Sequence, residues 1–328
     1  MARLAALMLT LAVVGASSTT PLLDPDSFVS ERIFSSPTLG CGAADYMLSV
    51  GWANKQCYQD GPNKYRRLSF DASACSAAQN VTVAIDAPSC DAAQPDSSLP
   101  MNKCVPSAAT NTSVLFQCMC NLPDASQNFG LVPFKGRCGD ASSVMMENAL
   151  FRENGFCTPN TDGSEGSTLY FLTDACQANQ TVVAVVYSDR HCKGTPLSVP
   201  AAISVDSCFE SNGYMVGAYC PCRGTDLGPA TLDLRTFANS ECSSREPGPH
   251  IQAHLNQCVA FAGPSGLLLS MRIKTPAGDV CTPHATYQVD TFMDANCTTP
   301  ASSNPLITHT CSIVQWGTML FSGNVTCL

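Results

Sequence analysis

The sequence predicts an all-β fold of three tandem, disulfide-rich modules of about 100 residues each, docked against one another. Three observations support this prediction. The cysteine spacing repeats three times, apolar and polar residues alternate between the cysteines, and 22 Gly and 22 Pro supply frequent turns. One segment, residues 141–152, has a helical composition, so a minor α contribution is the alternative there.

The internal repeat is the strongest signal in the chain. Equivalent cysteines lie 97 to 107 residues apart, and a Cys-x-Cys closes the first two sets. The three sets are Cys41, Cys57, Cys75, Cys90, Cys104, Cys118 and Cys120; Cys138, Cys157, Cys176, Cys192, Cys208, Cys220 and Cys222; and Cys242, Cys258, Cys281, Cys297, Cys311 and Cys327. The repeat predicts module 1 over residues 17–122, module 2 over 123–226 and module 3 over 227–328.

Cysteine parity restricts the pairing. Six cysteines in each module can close three disulfides, and the 15 possible connectivities are left open by sequence. Cys120 and Cys222 then remain. The simplest hypothesis is that they pair with each other and tie module 1 to module 2. An intermolecular bond and two free thiols are the alternatives.

Apolar alternation predicts the strands. Val81, Val83 and Ile85 alternate with less apolar neighbours, as do the residues of segment 285–290, which is typical of half-buried strands. Segment 181–187 is apolar on both faces, which predicts a strand covered on both sides. Further strands are expected at 113–117, 169–173, 214–219, 267–273 and 318–321. This gives five or six strands in each module.

An aspartate precedes the fourth cysteine of each set, and a proline follows it. The aspartates are Asp86, Asp189 and Asp294. Because an aspartate can accept a hydrogen bond from the backbone two residues further on, a turn is the favoured interpretation. A repeated calcium or sugar site is the alternative, but calcium needs six to eight oxygen ligands, and no single aspartate has that density of oxygens around it.

The N-terminus predicts secretion. Residues 1–16 have a basic residue, Arg3, a short apolar stretch and small residues before the expected cleavage point, as in a signal peptide. The apolar stretch is too short for an uncleaved membrane anchor, and no later stretch reaches membrane length. Twenty cysteines also indicate an oxidising compartment. Five Asn-x-Ser/Thr acceptors, expected on the outer surface, are Asn80, Asn111, Asn179, Asn296 and Asn324.

Catalytic motifs are not apparent in the sequence. Residues 263–266 lack the spacing of a nucleophile elbow. His250 and His254 have metal-ligand spacing but no intervening glutamate, so exposed loop histidines are the favoured interpretation. His191, His284 and His309 belong to no recognisable triad. We therefore expect no enzyme activity, no cofactor and no metal, with an uncharacterised extracellular enzyme as the third choice.

The expected role is structural or adhesive, in an extracellular matrix, a wall or a cell surface. A net charge of −9 argues against nucleic acid, so the expected partner is an extracellular glycan or protein, with self-association as a further expectation. A lectin-like polysaccharide binder is the alternative. Trp52 and Trp316 occupy non-equivalent repeat positions, which disfavours a repeated tryptophan site. The remaining aromatic candidates are Tyr46, Tyr187, Tyr214 and Tyr219, for which core packing is the default.

Overall fold

The computed structural model describes most of the chain from residue 27 onward. The described residues are 27–35, 40–42, 46–54, 56–61, 64–70, 80–89, 97–107, 111–159, 166–172, 174–178, 180–197, 201–211, 213–223, 230–237, 239, 241–243, 247–262, 268–274, 285–316 and 319–328. The signal peptide expected at residues 1–16 lies outside them, as do Asp86's side chain, Asn179, His284 and the side chain of Trp316.

An eight-strand order recurs three times along the chain. In module 1 the strands are β1 Phe28–Phe34, β2 Tyr46–Ala53, β3 Cys57–Gly61, β4 Lys64–Ser69, β5 Asn80–Ala87, β6 Ser97–Pro100, β7 Val105–Ser107 and β8 Thr112–Cys118. In module 2 they are β9 Phe129–Phe134, β10 Leu150–Arg152, β11 Phe156–Pro159, β12 Ser167–Leu172, β13 Thr181–Tyr187, β14 Ala201–Ser204, β15 Cys208–Ser211 and β16 Tyr214–Tyr219. In module 3 they are β17 Leu232–Phe237, β18 Pro247–Ala253, β19 Cys258–Ala262, β20 Leu268–Lys274, β21 Thr286–Phe292, β22 Pro300–Ile307, β23 Ser312–Trp316 and β24 Met319–Cys327.

The all-β, disulfide-rich fold class is confirmed. Three short 3-10 turns, Met119–Asn121, Ala125–Gln127 and Met146–Asn148, complete the regular structure of the described residues. No helix in that part of the chain has the length and apolarity needed to cross a membrane. The expected number of five or six strands per module is too low, because strands as short as β7 and β10 carry no visible alternation.

The first two and last two strands of every module join one antiparallel sheet of twelve strands. Its order is β23-β24-β17-β18-β15-β16-β9-β10-β2-β1-β8-β7. The middle four strands of each module form a separate four-stranded sheet, as in β11-β12-β13-β14. Each small sheet packs on one face of the large sheet, here called the inner face. The apolar side chains between the two layers form the core of each module.

Module 1 is reversed relative to the other two. In modules 2 and 3 the strands run across the large sheet in the order seventh, eighth, first, second, and in module 1 this order is inverted. Modules 3 and 2 therefore join in series through β18 and β15, whereas modules 2 and 1 join through their equivalent second strands, β10 and β2. At that join Phe151 pairs with Gly51, its counterpart in the cysteine repeat.

The same backbone conformation occurs two residues before the fifth cysteine of each module. Asn102, Asp206 and His309 all adopt a left-handed conformation, with φ of 56°, 66° and 57°. Their N–H groups donate to the carbonyls of Phe116, Ala218 and Val325, at 2.8, 2.7 and 3.0 Å. Each bond attaches the turn to the eighth strand and so positions the adjacent disulfide. The repeat in sequence is thus also a repeat in local geometry.

The strand at each edge of the large sheet is the seventh strand of its module: β7 in module 1 and β23 in module 3. At one edge, β7 is three residues long and contains Pro106, which lacks an N–H to offer a further strand. At the other, the Asn304 side chain pairs with the backbone of Gln315 in β23, accepting from its N–H at 3.2 Å and donating to its carbonyl at 2.9 Å. Both edges thus carry features that disfavour unlimited growth of the sheet.

The alternative of a minor helix over residues 141–152 is not supported by the structure. That segment contains one 3-10 turn, Met146–Asn148, and then strand β10. Leu150–Arg152 pairs with β9 on one side, and Phe151 pairs with β2 of module 1 on the other. Pairing with two strands distant in sequence therefore overrides the local helical preference. By contrast, β5, β13, β16 and β21 coincide closely with the strands expected from alternation.

Seven disulfides join described cysteines in a repeated pattern. The first and fifth cysteines of a module form Cys41–Cys104, Cys138–Cys208 and Cys242–Cys311. The second and fourth form Cys157–Cys192 and Cys258–Cys297, and the third and sixth form Cys176–Cys220. The two leftover cysteines form Cys120–Cys222. Cys57, Cys118 and Cys327 are also disulfide-bonded. Cys75, Cys90 and Cys281 lie outside the described residues.

The repeat predicts the remaining connectivity. Applied to all three modules, the observed pattern gives Cys57–Cys90, Cys75–Cys118 and Cys281–Cys327. Peptide mapping of the non-reduced protein by mass spectrometry is expected to recover these three cross-linked peptides, with Cys157–Cys192 and Cys176–Cys220 as internal standards. A different partner for Cys57, Cys118 or Cys327 would show that the modules are not equivalent.

Candidate functional site at the module junctions

Aromatic packing joins modules 1 and 2. Phe151 of β10 is fully buried and its ring centroid lies 4.5 Å from that of Phe28 in β1. Two glycines make room for it. A Cβ added at Gly51 would overlap the Phe151 Cβ, and one at Gly130 would lie 2.6 Å from the ring. The join therefore depends on close backbone approach on both sides of one side chain.

A polar cluster crosses the same junction. The Glu153 carboxylate of module 2 accepts hydrogen bonds from Ser30 Oγ at 2.6 Å, Arg32 Nε and Nη2 at 2.9 and 3.0 Å, and Tyr46 OH at 3.0 Å, all from module 1. The Arg32 contact is bidentate, the geometry that most favours a guanidinium–carboxylate pair. Burial, together with the nearby carboxylate, raises the pKa of Tyr46 to about 12, so its hydroxyl stays protonated as a donor.

The Cys120–Cys222 disulfide adds a covalent link between modules 1 and 2. Cys120 lies in the 3-10 turn after β8, and Cys222 lies in the turn after β16. The structure thus contains the bond that the leftover cysteines suggested. Aromatic packing, an ion pair and a disulfide all act across one junction.

Modules 2 and 3 join by direct strand pairing. Cys208 and Phe209 of β15 pair with Gln252 and Ile251 of β18. The small sheets also adjoin here, because Ala260 N donates to Ser204 Oγ at 2.6 Å. Thr181 Oγ1 donates to the carbonyl of Ala295 at 3.3 Å. This contact from module 3 supports the expectation that β13 is covered on both sides.

An imidazole between two carboxylates crosses this junction. His250 of β18 contacts Glu210 of β15 through Nδ1 at 2.5 Å and Asp233 of β17 through Nε2 at 2.9 Å. His250 alternates with the core residue Ile251, so the cluster lies on the outer face of the large sheet. The interpretation as exposed loop histidines is wrong, since His250 lies in a strand and both His250 and His254 are half-buried.

The protonation of this cluster follows from its partners. The hydrogen bond to Asp233 raises the pKa of His250, with burial opposing and Glu210 assisting. Burial pushes the pKa of Asp233 upward, but hydrogen bonds from His250 and Gln252 outweigh it and the net shift is downward. Among the described residues, Arg235, 3.7 Å from Asp233, is a further charged group at the cluster. A doubly donating imidazolium therefore holds both carboxylates.

The junction between modules 2 and 3 is expected to weaken at alkaline pH. A raised His pKa stabilises the fold below the unfolded value of 6.5, and this stabilisation is lost as pH rises through the folded pKa. His250→Gln should lower the free energy of unfolding by about 2 kcal/mol at pH 6 and by clearly less at pH 9. Urea denaturation at both pH values measures this, with the exposed His191→Gln as control. An equal loss at both pH values would contradict the imidazolium assignment.

The predicted aspartate turns are present in modules 2 and 3. Asp189 Oδ1 accepts from the N–H groups of His191 and Lys193 at 2.7 and 3.2 Å, and Asp294 Oδ1 accepts from Asn296 and Thr298 at 2.8 and 3.1 Å. These bonds occupy carboxylate oxygens that a calcium ion would need. Among the described residues, no group of three or more His, Cys, Asp or Glu side chains is placed to hold a metal.

The candidate aromatic residues have different environments. Trp52 is fully buried, and its Nε1 donates to Glu31 at 2.9 Å beneath the Arg66 guanidinium, so it belongs to the core of module 1. Tyr219 is also core. Tyr46 takes part in the Glu153 cluster, and Tyr187 is half-buried. Tyr214, with 42% of its surface exposed, remains available at the surface.

Two open cavities lie on the inner face of the large sheet. One, of about 260 Å³, lies between strand β14 of module 2 and strand β19 of module 3, and Phe209 and Ile251 are in its lining. The other, of about 350 Å³, lies in module 2 beside Tyr214. His250 and Glu210 also line the first cavity, so the polar cluster and the apolar cavity of this junction adjoin each other.

The expected glycosylation acceptors are placed differently by the fold. Asn80, Asn111 and Asn296 are exposed, as expected. Asn324 departs from the expected outer position, because it is half-buried in β24 and its Oδ1 is fully buried without a hydrogen-bond partner. Its place in an internal strand explains the difference, since β24 pairs with β17 on one side and with β23 on the other. Glycosylation of these residues stays a prediction.

Several junction residues carry no signal in the sequence. Glu153, Arg32, Glu210 and Asp233 belong to no local motif, and their contacts join residues up to 123 positions apart. The only local signal is the spacing of His250 and His254, which points to a metal rather than to an ion pair. Comparison of the chain with protein-family models, curated proteins and solved structures found no match.

Proposed function

We propose that this protein is a structural or adhesive component of an extracellular matrix, wall or cell surface. Its disulfides indicate an extracellular, disulfide-stabilised protein. The observation that carries the proposal is the continuous sheet, which takes strands from all three modules. Such a body holds three surfaces at fixed relative positions.

The two junctions support this role by different means. Strand pairing, the His250 cluster and the contacts between small sheets restrain modules 2 and 3. Phe151, the Glu153 cluster and a disulfide restrain modules 1 and 2. A fixed arrangement lowers the entropy cost of binding several sites on one partner. The construction therefore suits load bearing or multivalent contact.

Fractionation of the cells that secrete the protein tests the proposal. We expect the tagged wild-type protein in the insoluble extracellular fraction after extraction with high salt and mild detergent. The variant Cys120→Ser/Cys222→Ser, whose junction lacks its covalent link, should be released more readily. The surface variant Leu197→Ala is the matched control, since this side chain is 66% exposed. Recovery of the wild-type protein only as free monomer in the medium would contradict a structural or adhesive role.

A further inference from the structure

The cavity beside Tyr214 has the make-up of a small-molecule site. Strand residues Leu131, Pro133, Leu150 and Val216 line its apolar part, together with Met145. Val216 pairs with Pro133 and Leu131 pairs with Leu150, so these side chains form one continuous apolar strip across neighbouring strands. Leu131, Pro133 and Met145 are buried and form the floor of the cavity, whereas Leu150 and Val216 are half-buried.

Polar groups lie at the rim of this cavity. Ser211 and Tyr214 come from the β15–β16 hairpin, whose turn contains Gly213 at φ +80°, and Asn148 comes from the segment before β10. Their side chains are not engaged in hydrogen bonds within the described part of the chain. The rim therefore offers two hydroxyls and one amide to a ligand.

Among the side chains that the structure describes, the lining contains no charged group. An anionic polysaccharide or a charged peptide would lose water on entering without gaining a counter-charge. A sugar ring combines an apolar C–H face with hydroxyls around its edge, which matches an apolar strip with an aromatic ring, an amide and hydroxyls at its border. The chemistry of the cavity thus favours a neutral carbohydrate as its ligand.

We propose that this groove binds a neutral pyranose unit of an extracellular glycan. The Tyr214 ring packs against the C–H face of the sugar, while Asn148, Ser211 and the Tyr214 hydroxyl bond its hydroxyls. This binding goes beyond the scaffold role. It is a separate claim, because a rigid matrix component can exist with or without a sugar site.

Retention on insoluble cellulose, chitin and mannan tests the proposal, with pectate as an anionic comparison. The oxidised wild-type protein should bind at least one of the three neutral polymers. Soluble oligosaccharides of that polymer then give Kd by calorimetry. Tyr214→Ala should weaken Kd by about tenfold or more, and Tyr214→Phe should retain most of the affinity. The exposed Leu197→Ala is the control and should bind like wild type.

Three results would contradict the proposal that the groove binds a sugar. Absence of binding to all three neutral polymers, unchanged affinity in Tyr214→Ala, or retention on pectate alone would each overturn the proposal. Because Tyr214 is a surface side chain with 42% of its area exposed, its replacement should leave the thermal midpoint nearly unchanged, and this comparison separates loss of a site from loss of the fold. None of these outcomes affects the fractionation test of the scaffold role.

Discussion

Replacing Phe151 by alanine is expected to lower the free energy of unfolding by about 3–5 kcal/mol. The ring is fully buried, contacts Phe28, and fills the space that Gly51 and Gly130 leave open. Its removal leaves a cavity at the point where modules 1 and 2 meet. Strands β10 and β2 pair through Phe151 and Gly51 alone, so the aromatic packing of Phe151 is a major part of the contact between them.

Urea denaturation of the oxidised variant measures this effect. Phe151→Leu retains most of the volume and should cost less than about 1.5 kcal/mol. Leu197→Ala, at an exposed site, should change stability by less than about 0.5 kcal/mol. A loss below about 1 kcal/mol for Phe151→Ala would mean that this junction contributes little to the folded state.

Removing the Cys120–Cys222 bond is expected to have the second large effect. The two cysteines are 102 residues apart, but Cys138–Cys208 shortens the path between them to roughly 30 residues. In the chain-entropy model, a loop of that length contributes about 3–4 kcal/mol. Cys120→Ser/Cys222→Ser should therefore lose this amount, with the other disulfides intact.

The pattern of unfolding distinguishes a junction bond from an ordinary one. Without Cys120–Cys222, modules 1 and 2 should unfold in separate transitions. Cys157→Ser/Cys192→Ser, which removes a bond within module 2, should instead lower the stability of that module alone. In a Trp316→Phe background, fluorescence of Trp52 reports on module 1, while amide exchange reports on module 2. An unchanged midpoint in the Cys120→Ser/Cys222→Ser variant would contradict the assigned role.

The features that the sequence predicts correctly are those fixed by neighbouring residues. Alternation in segments 81–85 and 285–290 is sufficient to predict β5 and β21, because one face of each strand meets a core. The continuous apolar run in segment 181–187 is likewise sufficient to predict β13. The spacing of Asp189 and Asp294 before their cysteines is sufficient for the turns, since those hydrogen bonds span only two to five residues.

The junctions are beyond prediction because they depend on pairing between modules. Nothing local shows that module 1 is reversed, or that Phe151 pairs with Gly51. The composition of residues 141–152 favours a helix, and only the pairing with β9 and β2 makes Leu150–Arg152 a strand. His250 likewise resembles a metal ligand until Glu210 and Asp233 are placed beside it. In each case the deciding partner lies in another strand or another module.

Hydrogen exchange of the oxidised, mature protein tests the continuous sheet most directly. If the three modules share one sheet, amides in β10 and in the paired ends of β15 and β18 should exchange as slowly as those of the module interiors, such as β13 and β21. Fast exchange confined to the two junctions, with the module interiors still protected, would mean three separate modules on one chain and would contradict a sheet shared by all three.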